Sequence, residues 1–221
     1  MKFQSREQAG KLLAAKMKSF ENTELVYGIA KGGAVVAEHV AQALECRLVP
    51  IHVAKLPLPW SRDVFFGTVI HDGEVFLDEG IYRQMGLSYM DAQKIARTKL
   101  AEIKRSHQNV IDENQQQPSA KNREVTIVDD GMATGLTMLG AVMWLCAQGA
   151  RKINVAIPVA TQASIEVVKS KIDSLTCLFM STNKVFSIAT YYSEFPAVGD
   201  REVREAIKRN RDFLKEIKPG E

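Results

Sequence analysis

Twice in this chain a short apolar run stops at a turn of small residues that opens directly into a helical pattern. The first run is Leu25 to Ala30 (LVYGIA), which ends at Lys31-Gly32-Gly33 and leads into Val36, Val40 and Leu44 on one helix face. The second is Val125 to Val128 (VTIV), which ends at Asp129-Asp130-Gly131. The helix after it, Leu136 to Gln148, is apolar almost all round and stops at Gly149, a residue suited to the left-handed position past a helix end. Strands without polar alternation are buried on both faces, as in a parallel sheet covered by helices. This alternation restricts the chain to an α/β architecture.

The same rhythm continues elsewhere. Ser5 and Gln8 form a capping-box pair ahead of Leu12, Leu13, Met17 and Phe20 at helical spacing. Leu48 to Val53 reads as a strand that Pro50 weakens or places at an edge. Ile153 to Pro158 is a further strand, Gln162 to Lys169 a helix, and Leu175 to Met180 a fifth strand. The expected fold is an open, mostly parallel twisted sheet flanked by helices, with residues 1–221 as one domain. Residues 56–120 break the rhythm as an inserted hairpin-and-helix excursion. It holds a hairpin, Phe65 to Ile70 and Glu74 to Asp78 turned at Asp72-Gly73, then a charged helix from Ser88 to His107. The polar stretch 109–122 reads as a loop. The C-terminal helix, Asp200 to Lys218, is expected to be capped by Asp200 and supported by the pair Glu205 and Arg209.

Composition excludes several classes. With 46% hydrophobic and 25% charged residues in 221, the chain is neither a disordered tail nor a collagen-like repeat. No apolar run approaches the roughly eighteen residues of a membrane span. The first twenty residues scatter Lys2, Arg6, Lys11, Lys16 and Lys18 among apolar ones and lack a secretory pattern, so a cytoplasmic location is expected. Cys46, Cys146 and Cys177 are far apart without CxxC spacing, and His39, His52, His71 and His107 are scattered; buried free thiols are expected, not a zinc site. The net charge of +3 suits a small anion and is too slight to indicate nucleic acid. No nucleic acid or membrane is expected as a partner.

The chemistry lies at the two strand ends. After Asp129 and Asp130, the loop Gly131-Met132-Ala133-Thr134-Gly135 opens a helix at Leu136 and Thr137. Its small residues let backbone N–H groups converge, and the helix N-terminus adds partial positive charge, so the loop suits a phosphate. Thr134 and Thr137 add hydroxyl donors. The acids repel that phosphate and instead suit hydroxyl donors or a metal on the same ligand, a combination a sugar phosphate supplies. Lys31-Gly32-Gly33 suits a second anion such as pyrophosphate. Ligands of open α/β sheets bind beyond the strands' carboxyl ends, so both loops should open on one crevice.

The segment Val128 to Met138 resembles the ribose-phosphate signature of type I phosphoribosyltransferases, and Ala30-Lys31-Gly32-Gly33 resembles their pyrophosphate loop. His52-Val53-Ala54-Lys55-Leu56-Pro57 is similar to the strand-and-lysine element before their mobile catalytic loop, although Ala54 stands where many carry Arg. The whole chain is most similar to a stand-alone branch of predicted members. The resemblance implies magnesium-dependent transfer of a phosphoribosyl group from 5-phosphoribosyl 1-diphosphate to a nitrogen acceptor, with pyrophosphate released. It assigns Asp129 and Asp130 to the ribose hydroxyls, with a magnesium contact only through water. Residues Gly131, Met132, Ala133, Thr134, Gly135, Leu136 and Thr137 fall around the 5-phosphate. Lys31, Gly32 and Gly33, with Lys55, fall on the pyrophosphate, which makes Asp129, Asp130, Lys31 and Lys55 the expected catalytic set. Residues 56–120 become a lid with its tip at Ser61 to Phe66 or, equally and compatibly, a hairpin arm used in dimer contact. Ala133 stands where 6-oxopurine enzymes carry an aspartate, which disfavours those acceptors. Tyr191, Tyr192 and Phe195 are read first as packing the C-terminal helix onto the sheet and, as the alternative, as candidates for stacking an acceptor ring. A homodimer is compatible with the family. The same fold could alternatively bind phosphoribosyl diphosphate as a non-catalytic regulator.

Overall fold

A computed structural model describes residues 2–111, 117–183 and 185–218. Residues 112–116, inside the polar stretch read as a loop, lie outside the described residues. In chain order the elements are α1 (Arg6–Ala14), β1 (Leu25–Ile29), α2 (Gly32–Ala43), β2 (Arg47–Ile51), β3 (Val53–Leu58), β4 (Ser61–Ile70) and β5 (Val75–Leu77). They continue with α3 (Glu79–Gln84), α4 (Tyr89–Val110), β6 (Glu124–Val128), α5 (Leu136–Ala147), β7 (Lys152–Thr161), α6 (Gln162–Lys169), β8 (Ser174–Ser181) and α7 (Asp200–Ile217).

Five strands form a parallel sheet in the order β2-β1-β6-β7-β8, and β3-β4-β5 form a separate antiparallel sheet. Alternation along β1 divides the core between the faces of the larger sheet. Leu25, Tyr27 and Ile29 join Ile127, Val142 and Leu145 on one side, while Val26 joins Val36, Val40 and Leu13 on the other. The smaller sheet packs against α5 through β3 and β4. Its own core, built from Leu56, Phe66, Val69 and Tyr82, is shared with Ala92 and Ala96 of α4.

Strand order determines where a ligand can enter. From β1 the chain passes through α2 to β2 on one side, whereas β6, on the other side of β1, begins the run toward β8. The order therefore reverses between β1 and β6, and a crevice opens beyond their carboxyl ends at such a switch. Pro50 lies in β2, the edge strand, where a missing N–H is tolerated.

Several boundaries and pairings differ from the sequence expectation. Leu48 to Val53 is not one strand: the chain breaks at His52, and Val53 starts β3 in the other sheet. Ser61 to Phe66 is not a loop tip, because it runs along β4, antiparallel to β3, and the connecting turn is Pro59-Trp60. Asp200 does not cap α7. Gly199 occupies that position, its N–H donating to Glu202 at 3.0 Å, which leaves the Asp200 carboxylate for other partners. Glu205 pairs with Arg201, and Arg209 instead donates two 2.7 Å bonds to Glu38 of α2, so its charge is used between helices. Gln8 reaches back to the Gln4 N–H and not to Ser5, although Ser5 does cap α1. Leu12 and Cys146 are exposed where burial was expected. No helix among the described residues is long and apolar enough to cross a membrane.

Candidate active site at the ends of β1 and β6

Both chemistry-bearing loops lie at the β1/β6 switch and touch. A Cβ added at Gly32 would collide with the Asp130 carboxylate, and one at Gly33 would lie 2.7 Å from Asp129 Oδ1. The glycines thus let the first turn of α2 rest directly on the acid pair. The Ala30–Lys31 peptide is cis. Alanine at Gly32 is expected to lower stability by about 1–3 kcal/mol through overpacking, read as an earlier urea midpoint. An unchanged midpoint would show that this close approach is not needed.

The loop from Gly131 to Gly135 is open to a ligand. Ala133 and Thr134 are exposed, Leu136 and Thr137 are half-buried, and Gly135 adopts φ 78°. A Cβ at Gly135 would also lie 2.7 Å from the Ser164 carbonyl oxygen, so glycine is needed for both conformation and space. Met132 is buried and its backbone bridges β7, its N–H donating to Val159 O at 2.8 Å. Ser164 Oγ donates to Met132 O at 2.8 Å, and Thr161 Oγ1 to Ala133 O at 3.1 Å, so the end of β7 holds the loop rigid. No side chain caps either α2 or α5, and both helix N-termini begin just after the ends of β1 and β6. Their first N–H groups are therefore suited to anions.

The acids are more enclosed than sequence suggested. Asp130 is 8% exposed, and its Oδ2 accepts from Arg6 Nε at 2.7 Å. Arg6 also donates to Pro196 O at 2.8 Å and stacks 3.6 Å from the Phe195 ring centroid. Asp129 is half-buried and accepts the Asp130 N–H at 2.8 Å. Burial and the neighbouring Asp130 raise the Asp129 carboxyl well above the ordinary range. Burial also raises Asp130, against the pull of Arg6.

Lys31, beside the crevice, forms a 2.9 Å ion pair with Asp200 of α7. Lys55 lies in β3, its ammonium 4.1 Å from the Phe65 ring centroid, and burial lowers its affinity for a proton. Thus Lys31, Gly32, Gly33, Asp129 and Asp130 are gathered at one switch point, while Lys55 belongs to the second sheet.

The aromatic candidates support the acids from behind. Tyr191 and Tyr192 are 7% and 2% exposed, in a cluster with Phe3, Phe179 and Phe186. Tyr192 Oη donates to the Asp130 carbonyl at 2.6 Å, and Tyr191 bonds Ser181 Oγ. With both rings enclosed, the stacking expectation is corrected to packing for these two. Phe195 is half-buried and carries Arg6 on its ring. Arg6 and Asp200 were missed as site residues. Arg6 reads locally as one of several scattered N-terminal cations and Asp200 as a helix cap, and only long-range folding brings them to the ends of β1 and β6.

A family model described as the phosphoribosyl transferase domain matches residues 58–194, more than half of the chain. The chain belongs to the phosphoribosyltransferase family. The matched span contains the acid pair and the Gly131 to Gly135 loop but not Lys31-Gly32-Gly33, whose contact with the acids rests on geometry. Two Mycobacterium tuberculosis proteins, from strains CDC 1551 and H37Rv, each named "putative phosphoribosyl transferase", are 29% identical over 96% of this chain. The chain spans about half the length of these curated relatives, 48% of each. The crystal structure of TT1426 from Thermus thermophilus superposes with a TM-score of 0.78 at 27% identity, covering 95% of this family member and 99% of that chain.

Proposed function

We propose that the protein transfers the phosphoribosyl group of 5-phosphoribosyl 1-diphosphate to a nitrogen acceptor and releases pyrophosphate. The observation that carries this reading is the contact between Gly32-Gly33 and the acid pair, which brings the uncapped N-terminus of α2 onto the two carboxylates that precede the uncapped N-terminus of α5. One ligand with anions at both ends and a diol between them matches that order. The 5-phosphate is assigned to the loop Ala133 to Thr137, the ribose hydroxyls to Asp129 and Asp130, and the diphosphate to Lys31, Gly32 and Gly33. Lys55 joins the diphosphate when residues 56–120 act as a lid.

Departure of pyrophosphate leaves positive charge at the anomeric carbon and negative charge on the leaving group. Backbone N–H groups of the α2 turn and the Lys31 ammonium are placed to stabilise the latter, and closure over the crevice would exclude water. Among the described residues no three His, Cys, Asp or Glu side chains form a cage for a metal. Carboxylate oxygens suit a hard divalent cation, so Asp129 or Asp130 would hold a magnesium ion carried by the diphosphate through water. Bound in that way, the ion would neutralise diphosphate charge. Ala133 is exposed on the phosphate loop and cannot serve as a base or as a polar reader of a purine ring. A nucleobase or related heterocycle other than a 6-oxopurine is the proposed acceptor.

The test is thermal and chemical. Magnesium with phosphoribosyl diphosphate at about one hundred times its dissociation constant is expected to add about 2.7 kcal/mol of stability. That gain corresponds to a melting temperature some 5–10 °C higher. Asp129→Asn, which leaves the Arg6–Asp130 pair intact, is expected to remove most of the shift. A wild-type melting curve indifferent to the ligand would overturn the assignment. Pyrophosphate release is then screened across nucleobases, pyridine carboxylates and small amines. The internal pairing of both Lys31 and Asp130 favours a second reading, a non-catalytic regulator, which saturable binding without release from any acceptor would establish.

A further inference from the structure

Asp200 is the first residue of α7, yet its carboxylate is shared among three elements. Ser106 Oγ donates to Oδ1 at 2.5 Å and Asn109 Nδ2 to Oδ2 at 2.8 Å, both from α4. Lys31 Nζ, from the loop after β1, lies 2.9 Å from Oδ1. The helix N-terminus adds favourable partial charge. Burial pushes the Asp200 carboxyl up, but the bonds from Ser106, Asn109 and Lys31 outweigh it and hold it at about 2. The carboxylate is therefore charged at any physiological pH, and it neutralises the one side-chain cation of the Lys31-Gly32-Gly33 turn.

We propose that Asp200 is a positioning residue that latches Lys31: it holds the ammonium on α7 and α4 and yields it when a diphosphate arrives. This rests on the assignment of Lys31 to the pyrophosphate. The partner exchange is inexpensive for two reasons. The Lys31 and Asp200 side chains are 41% and 21% exposed, so their attraction is screened by water. Asp200 also keeps Ser106 and Asn109 after Lys31 leaves, so no buried charge is stranded. A diphosphate carries more charge than one carboxylate and is already favoured by the α2 N-terminus, so it wins the competition. Because Ser106 and Asn109 anchor the excursion helix to the same carboxylate, Asp200 also links the anion turn to residues 56–120.

The sign of the effect separates a latch from a merely structural contact. Asp200→Asn keeps the size of the side chain and one of its two acceptor atoms, and it removes the charge. Titration of magnesium pyrophosphate by calorimetry is expected to show binding up to about fivefold tighter in this variant than in wild type. In a Lys31→Met background the same substitution should leave affinity unchanged, since there is no ammonium to release. A structural role predicts the reverse, weaker binding with or without Lys31. If wild type binds pyrophosphate and Asp200→Asn binds it no more tightly, the latch is overturned and the transferase reading stands. Binding by Asp200→Asn where wild type shows none would support the latch in its strongest form. Failure of both proteins to bind pyrophosphate would overturn the Lys31 assignment and the latch together.

Discussion

Arg6→Met is expected to destabilise the protein by about 3–5 kcal/mol at neutral pH, because it leaves the Asp130 carboxylate buried without its cation. The two side chains are 10% and 12% exposed and meet at 2.7 Å. Tyr192 and Phe195 press against the same pair from the protein side, so water cannot readily replace the guanidinium. For a chain of this length the melting temperature would fall on the order of 10 °C. Asp130→Asn combined with Arg6→Met should recover part of the loss, since the stranded charge is gone. The pH dependence has a definite sign. Without Arg6 the folded-state pKa of Asp130 rises further above its unfolded value. The native state then holds protons that the unfolded state has released, so the penalty grows as pH rises and shrinks in acid. Urea titrations of the three variants at pH 5.5 and pH 8 measure this directly. A loss below about 1 kcal/mol at both pH values would be that of a surface contact and would remove Arg6 from the site's architecture.

Residues that act through neighbours in sequence were legible, and residues that act across the fold were not. The α6 boundaries, the start of α4 beside Ser88, the stop at Gly149 and the turn at Asp72-Gly73 all follow from side chains one to four positions away. The two ligand loops were legible for the same reason, as each is a strand end, a run of small residues and a helix start in continuous sequence. The Asp130 partner is 124 positions away and the Lys31 partner 169, and no local pattern marks either. Arg6 sits on an N-terminal amphipathic helix where an arginine ordinarily faces solvent. His52 hides a change of sheet because apolar residues run through it on both sides: its carbonyl accepts from His71 N–H at 3.1 Å, which turns the chain into the second sheet. Tyr191 and Tyr192 had two readings on sequence, stacking an acceptor or packing the C-terminal helix; both rings are buried, and their cluster is built on Phe3 and Phe179 with no residue of α7.

Acid is expected to unfold this protein through three histidines that the catalytic proposal does not use. His52 follows β2, His71 follows β4 and His107 lies near the end of α4; they converge where the two sheets meet. His52 Nδ1 and His107 Nδ1 are 3.1 Å apart, the His71 and His107 rings stack at 3.6 Å, and His71 lies against Trp144. Trp144 Nε1 in turn donates to Asp72 at 2.6 Å. Burial pushes His52 down to about 4, with His71 and Lys31 adding to the shift and Asp200 opposing it. Burial, with His71 and His52, takes His107 to about 3. Burial lowers His71 too, against Asp72 and a backbone bond to His52. A base whose folded pKa lies below its unfolded value contributes stability that is fully present above about pH 6.5 and is lost as pH falls. Between pH 7 and pH 5 the loss from His52 and His107 together is on the order of 3–4 kcal/mol, with His71 adding in the same direction. Asp129 and Asp130, both raised, work the other way and become less costly in acid. The histidine contribution has its own sign because the folded forms of His52 and His107 decline the proton that the unfolded chain accepts. Between pH 7 and pH 5 the urea midpoint of His52→Gln/His107→Gln should therefore fall less than that of wild type, and above about pH 7 the two pH profiles should run parallel. A slope of equal size in that double variant would mean that these buried rings do not govern the acid limit of the fold.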